Sequence, residues 1–367
     1  MVVTRPVRRW EHRILCAVLC LLAVLPVLAS DEIDLLVRAR MQEQRLPGAA
    51  YVVMRSGVAV DFGVYGFANL ELLVPVTPET VFQVGSLSKQ FAARALLMLV
   101  DDGKVRLDDP LNRYLPKPVP EWERITLYHV LTHTSGIPNW GDFAEFSFHD
   151  DYSAEAYVAI LREKNLEFRP GDRFLYSSAA YSLLSIVIEK ISGMPFGDFL
   201  EARIFRPAGM NSTKLNDPLS LVPGRSQGYV IRENRVINGV NLRPAVTAPS
   251  GGVLTTIGDL ARYERILREA PDLSEASNAQ ILRPVRLNSG QRFPYGMGWY
   301  LKDARHIQAA YHTGTTAAGF RAAYFRQLRT GISVVFLCNA SGDGVDPLVI
   351  AEMIAQTAVR DLTEVSQ

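Results

Sequence analysis

Cysteine is scarce in this chain. Of three, Cys16 and Cys20 fall in an N-terminal apolar run and only Cys338 lies beyond it, so residues 30–367 can hold no internal disulfide. Cys338 sits next to Ile332-Ser333-Val334-Val335-Phe336-Leu337 and reads as a buried core thiol. Charge of either sign is not in excess: 39 Lys and Arg stand against 38 Asp and Glu, which argues against a nucleic-acid partner. Internal repeats, low-complexity tracts and long Pro/Gly/Ser linkers are missing too, so a solenoid or a string of tethered modules is excluded. No apolar run reaches the ~20 residues of a membrane-spanning helix. The run over residues 14–28 stops at fifteen.

That run follows Arg5, Arg8, Arg9 and Arg13 and ends in Val27-Leu28-Ala29, the small-residue spacing of a signal-peptidase site. Residues 1–29 are therefore expected to be an export signal, which makes residues 30–367 periplasmic or secreted and limits membrane contact to the signal itself. The alternative is an uncleaved anchor. Lipidation is not expected, because Cys16 and Cys20 each follow a leucine. Loss of residues 1–29 removes four Arg and one Glu and takes the formal charge from +1 to −2. Nothing in the sequence signals an oligomeric state.

What is present is the material of one compact unit: 48% of the residues are apolar, enough for a full core. Residues 31–44 read as a helix with acidic residues in its first turn, stopped by Pro47-Gly48. Residues 49–54 and 58–64 read as strands joined by Arg55-Ser56-Gly57. Residues 81–84 are extended, and after Gly85 the pattern becomes helical through Phe91, Leu96, Leu97, Leu99 and Val100. From about residue 108 to 242 the signals are mostly helical. A turn at Pro249-Ser250-Gly251-Gly252 is followed by a helix over 257–268, strands over 298–301, 321–325 and 332–339, and a last helix over 348–359. The expected class is α/β of the α+β type. One antiparallel sheet is assembled from the two ends of the chain (residues 30–107 and 250–367) and flanked by helices, with a helical lobe (108–249) inserted and a cleft between.

The chemistry concentrates at three places. Gly85-Ser86-Leu87-Ser88-Lys89 puts a serine and a lysine three apart on one face of a helix start; a buried neutral lysine can deprotonate a serine, and the helix start offers backbone N–H groups to a developing oxyanion. Tyr176-Ser177-Ser178 follows Pro170-Gly171, and His312-Thr313-Gly314 precedes a strand. In this order and spacing the three elements resemble the serine β-lactamase and penicillin-binding family. Leu131-Thr132-His133-Thr134-Ser135-Gly136-Ile137, Ser250-Gly251-Gly252 and Tyr295-Gly296-Met297-Gly298-Trp299 add to the likeness, which covers about residues 33–359. It is nearest to class C β-lactamases, DD-carboxypeptidases and β-lactamase-like esterases.

The resemblance implies a β-lactamase/transpeptidase-like fold and acyl transfer with no metal or cofactor. Ser86 would be the nucleophile, Lys89 and Tyr176 would share the proton transfers, and the amides of Ser86 and Thr315 would form the oxyanion hole beside Gly314. Ser178 and His312 would face the substrate: a small-molecule ester, a D-amino-acid peptide or a β-lactam. Two positions depart from the family pattern. Ser178 stands where an Asn is usual, and a hydroxyl reaches less far and offers one donor. His312 stands where β-lactamases more often carry Lys, and histidine is only partly charged near neutrality. Both shift the expected substrate from β-lactams toward esters or D-amino-acid compounds. The rivals are a penicillin-binding DD-carboxypeptidase, then a β-lactamase, and outside enzymes a binding protein of the same fold.

Other candidates have structural readings. Tyr181 matches no proton-transfer position and is expected in the core. His129 and His133 lie four apart but lack the third ligand of a metal site. Gly224-Arg225-Ser226-Gln227-Gly228 has the spacing of a nucleophile elbow, but Pro223 precedes it and the extended Tyr229-Val230-Ile231 follows, where an elbow needs a strand before and a helix after. Of Trp140, Trp299, Tyr311 and Phe320, the pair flanking His312-Thr313-Gly314, Tyr311 and Phe320, is expected to line an acyl pocket. Ser86→Ala is expected to abolish labelling by a fluorophosphonate or penicillin probe, and Ser226→Ala to leave it intact; the reverse pattern would overturn the choice of nucleophile.

Overall fold

The computed structural model describes residues 31–240, 247–302, 306 and 308–364. The expected export signal, residues 1–29, lies outside the described residues. No helix among the described residues is long and apolar enough to cross a membrane.

The organising element is a seven-stranded antiparallel sheet. Its strands are β1 (Gly48–Arg55), β2 (Val58–Asn69), β3 (Val74–Pro75), β4 (Tyr300–Lys302), β5 (Ala309–Thr316), β6 (Phe320–Gln327) and β7 (Ile332–Cys338), in the spatial order β4-β5-β6-β7-β1-β2-β3. The two ends of the chain meet at the centre, where β1 pairs with β7 in the register Ala49 to Cys338 through Arg55 to Ile332. Side chains of a strand alternate between faces, and here both faces are covered. Ala50, Val52, Met54, Val335 and Leu337 join one apolar cluster, while Ala49, Tyr51, Val53, Val334, Phe336 and Cys338 join the other. Cys338 is fully buried, and burial raises its thiol to about 11.

The long helices are α1 (Asp31–Gln44), α2 (Ser88–Asp101), α3 (Ser178–Ser192), α4 (Ile257–Glu269) and α5 (Pro347–Glu364). The second cluster is closed by α1 through Ile33 and Val37 and by α5 through Ile350, Ala351 and Ile354. The first is closed by α4 and continues into the helical half around α2, which is buried on every side from Ser88 to Leu99. A helix buried on all sides lies in the core of its domain, and this one buries Lys89, Gln90 and Arg94 along with its apolar residues. A buried carboxylate ties α4 to the sheet: Glu264 accepts from Arg326 Nε at 3.0 Å, Tyr324 Oη at 2.7 Å, Ser333 Oγ at 2.9 Å and Arg268 Nε at 2.9 Å.

Two stretches differ from the sequence reading. Within residues 108–249 the helical pattern gives way to the short strand Lys214–Leu215, paired with Val253–Thr255, while the extended Tyr229-Val230-Ile231 is found as the strand Tyr229–Arg232, parallel to Ala340–Gly342. The alternation at Tyr229 and Ile231, both buried, is what a paired strand needs. The expected turn at residues 249–252 winds into a single helical turn, Ala248–Gly251, which turns a carbonyl toward α2. Replacing Glu264 by Leu leaves Arg326 buried without its partner, and is expected to lower the unfolding free energy by about 3–5 kcal/mol. Urea denaturation reads this; a loss below ~1 kcal/mol would mean that the arginines find other acceptors.

Candidate active site

Ser86 stands in a one-turn 3-10 helix, Gly85–Leu87, between the short strand Phe82–Gln83 and α2. Two glycines make this corner possible. Gly85 has φ +52, and a Cβ there would lie 2.8 Å from the Thr315 nitrogen and oxygen; a Cβ on Gly314 would lie 1.9 Å from the Val84 carbonyl oxygen and 3.1 Å from the Ser86 nitrogen. Strand β5 thus passes the Ser86 turn at a distance that only glycine permits. Strand β4 covers β5 only over Ala309 to Tyr311, so the later part of β5, with Thr315 and Thr316, reaches the cleft. The turn is also tied inward: Ser88 Oγ donates to the Gly85 carbonyl at 2.7 Å and accepts from the Val253 amide at 2.9 Å.

Lys89 is fully buried. Its Nζ lies 3.1 Å from Ser86 Oγ and 3.0 Å from Ser178 Oγ, and donates to the Ser250 carbonyl at 2.7 Å. None of these partners is a carboxylate, so burial alone acts on the amine and pushes its pKa well below the ordinary lysine value. Tyr176 faces it, with Nζ 4.9 Å from the ring centroid. Burial raises the Tyr176 phenol, opposed in part by hydrogen bonds with the Ser86 and Ser178 hydroxyls.

Tyr176 is held from behind by His133, whose ring centre is 4.3 Å from its own. His133 is fully buried and its Nδ1 accepts from the Ser177 amide at 3.1 Å, so its proton sits on Nε2. Burial keeps this ring neutral, lowering its pKa well below the ordinary value. His129 does something different. It completes a capping box with Thr126 at the start of the helix Leu127–Leu131 and does not act with His133. Tyr181 is buried beneath the site, with its hydroxyl 3.4 Å from the Lys89 carbonyl.

His312 is 1% exposed. Its Nδ1 donates to the Thr313 carbonyl at 2.7 Å and its Nε2 lies 3.4 Å from the Tyr295 hydroxyl. Burial, with a smaller push from Lys89, lowers its pKa to about 3, so the ring is neutral across the physiological range. It offers no cation to a substrate carboxylate.

The cleft around Ser86 is lined by Gln83, Asn139, Trp140, Phe148, Ser178, Asn216, Thr315 and Thr316. Of the four aromatics singled out in the sequence, Trp140 is on the cleft. Trp299 packs against Tyr324 in the core, Phe320 meets Phe82 edge-on with 1% exposure, and Tyr311 stacks on Tyr300. The expected acyl-pocket pair, Tyr311 and Phe320, is therefore replaced by Trp140 and Phe148, which meet at 4.9 Å. Strand alternation explains Phe320: it points into the sheet's first cluster. Ser226 lies in a loop with its hydroxyl on the Val81 carbonyl at 3.0 Å, away from this group. Sequence reasoning missed Asn139, Asn216 and the Ser250 carbonyl; Asn139, just before Trp140 in the loop that follows Thr134-Ser135-Gly136, carried no signal of its own.

The comparisons with known proteins agree with this geometry. The beta-lactamase family model matches residues 33–358. Penicillin-binding protein 4* of Bacillus subtilis (strain 168) is 29% identical over 76% of this chain and 65% of its own length. D-aminopeptidase of Gluconobacter oxydans is 28% identical over 80% and 56%, and a beta-lactamase of Escherichia coli (strain K12) is 27% identical over 79% and 76%. The chain thus spans less than two thirds of the length of the first two. Among solved structures, the octameric penicillin-binding protein homologue from Pyrococcus abyssi superposes with a TM-score of 0.74 at 26% identity, covering 89% of this chain and 76% of that one. The penicillin-binding protein from Bacillus halodurans superposes at 0.73 with 25% identity, covering 89% and 98%. The sheet built from both chain ends, the buried lysine beside the serine at the helix start and these likenesses place the chain in the beta-lactamase family.

Proposed function

We propose that this chain is an exported serine hydrolase that works through an acyl-enzyme on Ser86, with esters or D-amino-acid esters and amides as substrates. The observation that carries the reading is the Lys89 amine, wholly buried and 3.1 Å from Ser86 Oγ. Export rests on the arginines and apolar run of residues 1–29. The names penicillin-binding protein and D-aminopeptidase among the relatives support a D-amino-acid substrate. Neutral His312 and the hydroxyl of Ser178 in place of an amide favour substrates without a carboxylate to be held by charge.

The direction of the proton transfers follows from burial. Free lysine and tyrosine titrate near ~10.4 and ~10, almost together, so in water neither owns the proton. Burial lowers Lys89 and raises Tyr176, which separates them in the sense of a neutral amine and a protonated phenol. Lys89 is then the base. It takes the Ser86 proton as Oγ bonds to the substrate carbonyl carbon, and the carbonyl electrons move onto an oxygen facing the amides of Ser86 and Thr315. Collapse re-forms the carbonyl and breaks the bond to the leaving group, which takes a proton from Tyr176; the Lys89 ammonium restores that proton through the Ser178 hydroxyl, because Ser86 Oγ is by then the ester oxygen. Water then attacks the ester, its proton goes to the same base, and Ser86 leaves with a proton as the acid product departs.

Intact mass after exposure to a p-nitrophenyl ester, a D-Ala-D-Ala thioester and benzylpenicillin tests this reading, with Ser86→Ala as control. A Ser86-dependent adduct that turns over on the ester or D-amino-acid thioester is expected. A long-lived penicillin adduct with peptide cleavage would favour the DD-carboxypeptidase, rapid penicillin turnover the β-lactamase, and no adduct on folded protein a binding role. Lys89→Arg, which keeps a cation that cannot deprotonate, is expected to lower kcat/KM by about 10²–10⁴. For the parent, kcat/KM should rise with pH through the depressed lysine value and fall only where the raised tyrosine ionises. A rising limb near the ordinary ~10.4 of lysine would overturn the depressed Lys89 amine as the base.

A further inference from the structure

One stretch of the chain carries charge of one sign only. Residues 276–302 contain no Asp or Glu but hold Arg283, Arg286, Arg292 and Lys302. The middle of this stretch folds into a two-stranded ribbon that is a sheet of its own, Val285–Arg286 against Arg292–Phe293. In its register Arg286 stands directly opposite Arg292, and Val285 opposite Phe293. Residues opposed in this way share a face. Val285 is buried and Phe293 stacks on Phe174 at 3.9 Å between ring centres, so that pair forms the inner face. The two arginines form the outer face, and both are exposed, as is Arg283 just ahead of the ribbon.

Like charges directly opposite each other destabilise a strand pair, and no carboxylate of the chain relieves this one. Among the described residues none of the three arginines is in an ion pair. The ribbon is also fastened and cannot simply splay apart. Its Asn288 donates from Nδ2 to the Pro170 carbonyl at 3.0 Å and to Asp172 at 2.7 Å, and from its backbone N–H to the Gly171 carbonyl at 2.9 Å. Three guanidinium groups are thus held on a firm support without a counter-ion. The planar fork of arginine fits carboxylate and phosphate alike, so an anion from outside the chain supplies what the ribbon lacks.

The other groups on this surface narrow the partner. Ser289 and Gln291, exposed at the ribbon's turn, add a hydroxyl and an amide. Phe293 is turned inward, so the outer face of the ribbon lacks the stacking platform of a single-stranded nucleic-acid site and the apolar anchor of a protein interface. Guanidinium forks beside a hydroxyl and an amide suit a chain of sugars that bear acid groups. We infer that this ribbon is an attachment site for an anionic polysaccharide, carboxylate- or phosphate-bearing, distinct from the cleft at Ser86, whose lining includes none of these residues. Docking there holds the enzyme on an acidic polymer and leaves the cleft open. The inference stands apart from the acyl-enzyme reading and does not depend on it.

The test compares the full chain with two triple variants of equal net charge. One removes the ribbon's arginines, Arg283→Gln, Arg286→Gln and Arg292→Gln; the control removes three exposed arginines of other elements, Arg38→Gln, Arg206→Gln and Arg329→Gln. Retardation in native gels that contain polygalacturonate, a phosphomannan or neutral dextran reads the dissociation constants. The parent and the control are expected to be retarded by an acidic polymer and not by dextran. The ribbon variant is expected to bind about tenfold more weakly at low salt, with the difference shrinking as salt screens the contact. Retardation by polygalacturonate alone assigns the carboxylate, and by phosphomannan alone the phosphate. No retardation of the parent, an equal loss in the control, or tighter retention on single-stranded DNA than on either polysaccharide would overturn the inference. Thermal unfolding separates attachment from a structural role. Removing the opposed charges is expected to leave Tm unchanged or to raise it, whereas a clear fall would mean that the arginines serve the ribbon's own fold and would overturn the inference too.

Discussion

An amine buried with no carboxylate beside it is the constraint on which this site depends. Lys89 is anchored by two serine hydroxyls and one carbonyl, all neutral, so its cationic form has only dipoles to replace the water it has lost. Placing a carboxylate there would have secured the charge and removed the base. The geometry therefore has to deliver acceptors without charge. It does so from three distant stretches: the 3-10 turn before α2 for Ser86, the start of α3 for Ser178, and the helical turn Ala248–Gly251 for the carbonyl.

Everything around the amine preserves that neutrality. His133 and His312 both lie within the aromatic shell of Tyr176, at 4.3 and 6.0 Å between ring centres, and burial keeps both uncharged. Their hydrogen bonds hold single tautomers, so they position rings and do not titrate near neutrality. The described wall of the cleft is made of amides, hydroxyls and aromatics. The large charges are kept elsewhere, in pairs that serve the scaffold: Glu264 with Arg326 and Arg268 under the sheet, and Arg94 with Asp272 behind α2. Separating a charged scaffold from a neutral site lets one chain have firm packing and a buried amine without a counter-ion.

Much of the architecture was legible because its signals are local. The first helix, the early hairpin and the closing strand and helix follow from periodicity and from turn residues at 45–48 and 55–57. Ser86 and Lys89 were legible for the same reason, since a separation of three on a helix puts two side chains on one face whatever surrounds them. The short strand Lys214–Leu215 was not. Its partner, Val253–Thr255, lies far along the chain, and a segment of two residues carries too little pattern to separate from loop.

The sequence by itself determined that Ser86 and Lys89 share one helix face, the family and the meeting of both chain ends in one sheet, because each is written in spacing along the chain. Tertiary structure alone decided the protonation states and the walls of the cleft. Asn139 reaches Ser178 across 39 residues and the Ser250 carbonyl reaches Lys89 across 161, and the pKa of a side chain is set by what is packed around it. Which of Lys89 and Tyr176 keeps the proton, whether His312 carries a charge and which aromatic faces the substrate are all consequences of burial. Burial is a property of the folded chain, and no local stretch of sequence contains it.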